Sequence, residues 1–305
     1  MGRSSSAKDE RGRRAKIAAQ RAAAQRAQRR NRMLIAGGAI VAVIAVVVSF
    51  VLLSGHSTPT NTTSGGTSAP PTGSDLARVV GTTTTVPAAT LNQVGAGQVT
   101  ATPTSISGAP LTSGGKPEML YIGAEYCPYC AAERWAMVVA LSRFGTFSGL
   151  AAIRSAAKDG AGHAEPYPNT PTWTFLNAHF TSTYLTFTSV ELNTNIPDPA
   201  TGGYTTLQTP TAEQEALLRT YDTNGSIPFI DFGNKYMSVG ASYDPAVLKN
   251  LTWDQIATAL HNPGSPVARA ALGAANYMTA AICVLTGNQP TSACSPVVKS
   301  LQGHL

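Results

Sequence analysis

Gly115-Lys-Pro-Glu-Met-Leu-Tyr-Ile-Gly-Ala-Glu-Tyr-Cys-Pro-Tyr-Cys-Ala-Ala-Glu-Arg-Trp135 holds a strand, a turn and a helix start within 21 residues. Glu118 to Gly123 is a short apolar run of the kind that forms a buried strand. Apolar residues then recur at Trp135, Val138, Val139 and Leu141 to Phe144, which predicts a helix from Pro128 to Phe144 stopped by Gly145. Cys127-Pro128-Tyr129-Cys130 opens that helix, and proline suits its first turn, where no hydrogen bond is lost. Unpaired N–H groups and the positive end of the helix dipole meet there, and they favour a thiolate over a thiol. Cys127 is expected as the exposed nucleophile, with Cys130 one turn on and facing inward to resolve a mixed disulfide. The two residues between the sulfurs tune the relative stability of dithiol and disulfide.

Two other readings of the CxxC stay open. It can be half of a zinc site, whose other half would have to be Cys283 and Cys294. Against this, those two have ten residues between them, no second CxxC exists, and His56, His163, His179, His261 and His304 are scattered. The pair can also be a plain structural disulfide, although a ring that tight is strained and labile. Cys283 and Cys294 bracket Gly287 and Pro290, where the chain can turn back, and are expected to form a structural disulfide. A relay of electrons between the two pairs is the sharper alternative.

Toward the N-terminus the composition changes abruptly. Residues 1–32 hold eleven of the 22 Lys/Arg and two of the 16 acids, a charge of +9, and the rest of the chain carries −3. Met33 to Leu53 is 21 residues without a charge. At about 1.5 Å per residue it reaches about 31 Å, enough to cross the hydrocarbon core. No Lys/Arg follows until Arg78, so the charge asymmetry predicts a cytoplasmic N-terminus and an outward-facing remainder. An uncleaved anchor is expected, because the apolar core is long for a signal peptide and Leu53-Ser54-Gly55-His56 is a poor cleavage site. The basic tail then reads as a topology signal, with contact to anionic lipid as a further role and no nucleic-acid partner. Residues 54–74 are mostly Ser, Thr, Gly and Pro, with almost nothing apolar, and read as a disordered tether. From 75 to 99 scattered apolar residues (Leu76, Val79, Val80, Leu91, Val94) suggest an arm packed on the domain, with a short helix at Pro87 to Val94. Residues 100–116 look like loop. The domain boundaries expected are therefore 1–32, 33–53, 54–74 and 75–305.

Downstream, Leu150 to Ile153 reads as a second strand parallel to the first. Trp173 to Phe175 and Tyr184 to Leu192 alternate apolar with Thr/Ser, as in a hairpin insertion. Thr211 caps a helix reaching Tyr221, with Glu213 and Glu215 in its first turn. Ile227 to Phe232, the turn Gly233-Asn234 and Lys235 to Val239 form a hairpin. Asp244 or Thr252 caps helix in 245–262, and Pro266 to Leu285 is a last, Ala-rich helix. This order predicts an α/β sheet with helices on both faces.

Tyr121-Ile-Gly-Ala-Glu-Tyr-Cys-Pro-Tyr-Cys130 resembles the active-site strand and helix start of the thioredoxin superfamily, and its Pro-Tyr dipeptide is similar to that of glutaredoxins. Ser226-Ile-Pro-Phe-Ile-Asp-Phe-Gly-Asn-Lys-Tyr-Met-Ser-Val-Gly240 resembles the second hallmark of that superfamily. The resemblance implies a thioredoxin-like fold in which Pro228 is a cis-proline facing the sulfurs and the Ile227 backbone pairs with substrate. The whole layout most resembles an uncharacterised family of membrane-anchored prokaryotic CPYC proteins that carry a domain of unknown function. Two departures qualify it. Tyr121 stands where thioredoxins bury an Asp, and nearly 100 residues separate Cys130 from Pro228. The long insertion is similar in place to that of periplasmic disulfide oxidases, but its content is of β-hairpin type.

Glu125 and Glu133 flank the motif as candidate proton relays or, more blandly, as solvated charges. Tyr126 can shape a groove for unfolded substrate, and Trp135 fits the helix stripe as core. The expected activity is thiol–disulfide exchange with secreted or membrane proteins, without a cofactor and with a membrane quinone-linked partner to reoxidise the pair. The competing expectation is a non-catalytic binding or assembly module with structural disulfides.

Overall fold

The computed structural model describes residues 68–305. The basic tail, the 33–53 segment and most of the 54–74 linker lie outside them. The central strand β3 (Lys116–Gly123) is buried along its last five residues. Such a run has apolar side chains on both faces because a strand alternates its side chains. Met119 and Tyr121 enter one core, while Leu120 and Ile122 enter another on the opposite face.

β3 has two long-range neighbours. On one side it pairs antiparallel with β11 (Phe229–Phe232), which turns at Gly233-Asn234 into β12 (Tyr236–Val239). On the other it pairs parallel with β8 (Thr186–Glu191), Glu118 facing Thr186 and Gly123 facing Glu191. The two-residue strands β1 (Thr104–Ser105) and β2 (Thr112–Ser113) extend β12 and the start of β3. The result is a mixed sheet in a mixed α/β fold.

Seven α-helices occur among the described residues: α1 (Gly73–Thr84), α2 (Ala88–Val94), α3 (Pro128–Leu141), α4 (Ala212–Tyr221), α5 (Trp253–Leu260), α6 (Pro266–Leu285) and α7 (Pro296–Leu301). The larger core joins Met119, Tyr121 and Ile230 to α3, α5 and α6, while Leu218 of α4 packs with Leu120, Ile122, Val190 and Phe229. Helices thus cover both faces, as expected. Capping boxes at Thr211 and Thr252 start α4 and α5, and Asp244 caps a short 3-10 turn, Pro245–Leu248.

α6 is, among the described residues, the helix long and apolar enough to cross a membrane. Of its 18-residue apolar window, 89% is buried inside the protein, as in a core helix. Its small residues admit the N-terminal arm at close range. Gly97 has φ +60°, and a Cβ there would lie 2.2 Å from the Arg269 carbonyl oxygen. The expected arm is therefore real, but α1 was not expected. Its Val79 and Thr83 are buried, and Arg78 pairs with Asp254 of α5.

Two strand expectations need correction. β5 (Ala151–Arg154) is not parallel to β3; it pairs antiparallel with β6 (Pro171–Thr174) in a separate ribbon. Trp173 to Phe175 does not pair with Tyr184 to Leu192, because β8 in the latter is the parallel partner of β3. β4 (Gly145–Ser148) and β7 (His179–Ser182) form another ribbon. The insertion hairpin is instead β9 (Asn193–Asp198) with β10 (Gly203–Thr206). Periodicity marks a strand but does not name its partner, and these short strands carry similar patterns.

Candidate functional site

The site grows from the end of β3. The Cys127 N–H turns back to the Ala124 carbonyl at 3.3 Å, and Cys127 becomes the N-cap of α3 in extended conformation. Its sulfur accepts the Cys130 backbone N–H at 3.3 Å, satisfying one of the orphan donors of the first turn. Pro128 sits at the helix start. Cys127 and Cys130 are free thiols, 5% and 0% exposed, among Ala124, Tyr126, Leu192 and Ile227, so Cys127 is buried too and not the exposed sulfur expected from the sequence.

The electrostatics separate the two sulfurs. The Cys127 pKa is lowered, first by its hydrogen bond with the Cys130 thiol, then by the Cys130 backbone N–H and the charge of Arg134, against the opposing effect of burial. Burial pushes the Cys130 thiol well up. The arrangement therefore favours a thiolate on the outer sulfur and a protonated thiol on the inner one.

Sequence-distant residues arrive from two sides. The Ile227–Pro228 peptide is cis, and the Cys127 thiol points to the Ile227 carbonyl oxygen at 4.0 Å. Tyr126 stacks on Tyr204 of β10 at 3.9 Å between ring centres, and the Tyr204 hydroxyl bonds Glu165. Tyr129 is 39% exposed and meets Tyr167 edge-on at 5.8 Å. Of these rings, Tyr126 packs against the cysteines themselves.

The two candidate relays are not solvated. Glu125 is buried and accepts the Thr174 hydroxyl at 2.6 Å; burial raises its pKa. Glu133 is fully buried and receives the Ser242 N–H at 2.8 Å and the Ser242 hydroxyl at 2.6 Å. Burial raises its pKa to about 7. Both oxygens of Glu133 are thus engaged by Ser242, which marks it as a tie between α3 and the loop after β12. Trp135 is core, as expected, and its indole N–H donates to the Pro171 carbonyl at 2.9 Å.

Cys283 and Cys294 are bonded to each other across the turn from α6 to α7. They are not paired with the CxxC, and their bond leaves no ligands for the other half of a zinc site. Among the described residues no group of three or more His, Cys, Asp or Glu can hold a metal ion.

The sequence reading missed Arg134 and Glu191. Arg134 is fully buried, donating Nε to Glu191 Oε1 at 3.1 Å and Nη2 to Glu191 Oε2 at 2.7 Å and to the Ala124 carbonyl at 2.7 Å. Burial is the largest single influence and works against this cation, but Glu191, Tyr121 and Cys130 together outweigh it and raise the Arg134 pKa. The signal was legible: Glu133 and Arg134 are the only charges in α3, a helix buried all round.

No curated protein and no solved structure matches the chain. One sequence family does, over residues 102–284, which include Cys127, Cys130 and Pro228. That match spans more than half of the 305 residues, and the chain belongs to this family, the domain of unknown function DUF929.

Proposed function

We propose that the domain is a thioredoxin-like thiol–disulfide oxidoreductase, held outside the membrane by residues 33–53, that oxidises or isomerises disulfides in secreted or membrane proteins. The observation that carries this reading is the capping of α3 by Cys127, whose sulfur accepts the Cys130 N–H while the Cys130 thiol is buried beneath it. A structural disulfide needs no such asymmetry, whereas an exchange site needs a thiolate at its outer sulfur. The cis Ile227–Pro228 peptide beside Cys127 supports the thioredoxin-like reading. For the placement, the support is the uncharged stretch 33–53 after eleven cationic residues.

In the oxidised protein a substrate thiolate attacks Cys127 Sγ. The Cys127–Cys130 bond breaks, its electron pair leaves on Cys130, and that sulfur takes up a proton. A second substrate thiolate attacks the substrate sulfur of the mixed disulfide and releases the Cys127 thiolate. The substrate leaves as a disulfide, two electrons remain on the dithiol, and a membrane quinone-linked partner removes them. A lowered Cys127 pKa stabilises the reduced form and so favours oxidation of substrate. Tyr121 in place of a buried acid also argues against a thioredoxin-type reductase.

The test is the reduction potential of the purified chain in glutathione buffers, with each cysteine pair identified by alkylation and mass. A Cys127–Cys130 potential at or above about −200 mV fits an oxidase or isomerase, and one near about −270 mV fits a reductant. Resistance below about −300 mV would mark a structural bond and end the enzyme reading.

A further inference from the structure

We infer that Arg134 is the positioning charge of the dithiol: anchored by Glu191 and the Ala124 carbonyl, its guanidinium stabilises the thiolate forms of Cys127 and Cys130 and raises the reduction potential of the pair. The inference rests on the oxidoreductase reading above and assigns that reaction a residue outside its CxxC.

Arg134 follows Cys130 by four residues, so both lie on one face of α3. Two of its nitrogens are occupied, but Nη1 is buried without a partner. The Tyr121 hydroxyl is likewise buried and unpartnered, and the guanidinium lies 5.8 Å over the Tyr121 ring. A Cβ on Gly123 would stand 2.0 Å from that hydroxyl, so the glycine makes room for it beneath the turn into α3. Arg134 is tied to the turn itself, since the Ala124 carbonyl that accepts its Nη2 also accepts the Cys127 N–H. Native proteins rarely leave buried donors unsatisfied.

The chemistry supplies a negative charge for this cation to act on through space. When the Cys127–Cys130 bond breaks, the electron pair goes to Cys130, a sulfur with no exposure to water. When exchange runs in reverse, the same thiolate is the attacking group. A fixed buried cation lowers the cost of that charge in either direction. The charge of Arg134 lowers the pKa of both cysteines, in the direction the inference requires. Glu191 holds the cation by two parallel hydrogen bonds and sits on β8 opposite Gly123. Stability alone gives little reason for such a pair, since a buried ion pair seldom improves on apolar packing.

The test compares the full chain with Arg134→Lys, Glu191→Gln and the double variant Arg134→Gln/Glu191→Gln, which removes both charges but keeps hydrogen-bonding side chains. Three quantities are read: the pH midpoint of Cys127 alkylation, the dithiol–disulfide equilibrium against glutathione, and circular dichroism with the Cys283–Cys294 bond as a folding check. In the double variant the midpoint should rise by about one pH unit, and the equilibrium should shift about tenfold toward disulfide, about 30 mV for a two-electron couple. Glu191→Gln should move both quantities the other way, and Arg134→Lys should restore most of the wild-type values. If the double variant does not fold, the opposite shift in Glu191→Gln carries the test. Folded variants that leave both quantities unmoved, or that all shift in one direction, would overturn the inference. A wild-type chain without exchange activity whose variants still shift the alkylation midpoint would sink the oxidoreductase reading and leave the Arg134 assignment standing.

Discussion

The Cys130 backbone N–H donates to the Cys127 sulfur at 3.3 Å, so the residue that caps α3 is also the outer member of its thiol pair. The cap and the nucleophile are one atom. The donor that a helix start leaves unpaired is spent on a sulfur, and a thiolate accepts it better than a thiol does.

That relationship separates the roles of the two cysteines. Cys127→Ser should reduce exchange with a dithiol peptide to background. Cys130→Ser should retain attack by Cys127 and trap a mixed disulfide with substrate, read as added mass on the Cys127 peptide. Full exchange in Cys127→Ser would end the oxidoreductase assignment.

The bond between Cys283 and Cys294, eleven residues apart in sequence, should act on stability and not on exchange. Replacing both by Ala should cost about 3 kcal/mol in the chain-entropy account of a loop that size. The midpoint of denaturant unfolding reports the loss. Exchange by the remaining pair should persist in the variant, and its disappearance would revive the relay.

Glu133 predicts a pH-dependent stability. Burial raises its folded pKa to about 7 from an ordinary 4.5. Between those values the folded state holds a proton that the unfolded state has released. Stability is therefore fully present below about pH 4.5 and falls as pH rises through about 7. The full effect is about 3 kcal/mol at 1.36 kcal/mol per pKa unit. Glu133→Gln keeps a partner for Ser242 and should flatten this slope. Urea titrations of both proteins between pH 4.5 and 8 measure it; equal slopes would contradict the assignment. Asp231, raised by burial to about 6, adds a slope of the same sign that is common to both proteins.

Trp135→Ala should destabilise the domain by about 3–5 kcal/mol, the usual cost of emptying a large aromatic site. The indole is fully buried, 4.8 Å between centroids from Trp173, and its N–H satisfies the Pro171 carbonyl. Thermal unfolding measures the loss. A variant as stable as the wild type would mean that α3 is not anchored at this point.

Local patterns were enough to reveal much of this protein. The strand at Glu118 to Gly123, the helix behind Cys127, the hairpin through Gly233-Asn234, the caps at Thr211 and Thr252, and α6 to its last residue follow from periodicity and end chemistry that act within a few residues. Cys127 and Cys130 were legible for the same reason, since the helix start that shifts a thiol pKa is itself a local structure. What only the tertiary structure decided was pairing and burial. β8 and not β5 lies beside β3, because the parallel neighbour is chosen by the packing of both faces and not by the strand's own pattern. Glu125 and Glu133 read as solvated or reactive charges, yet both are buried, held by Thr174 and Ser242 from segments 49 and 109 residues away. Arg134 stood out only as a charge in an apolar helix; its partner Glu191 lies 57 residues on. A carboxylate or guanidinium has the same letter in water and in a core, and only the groups folded against it determine which state it keeps.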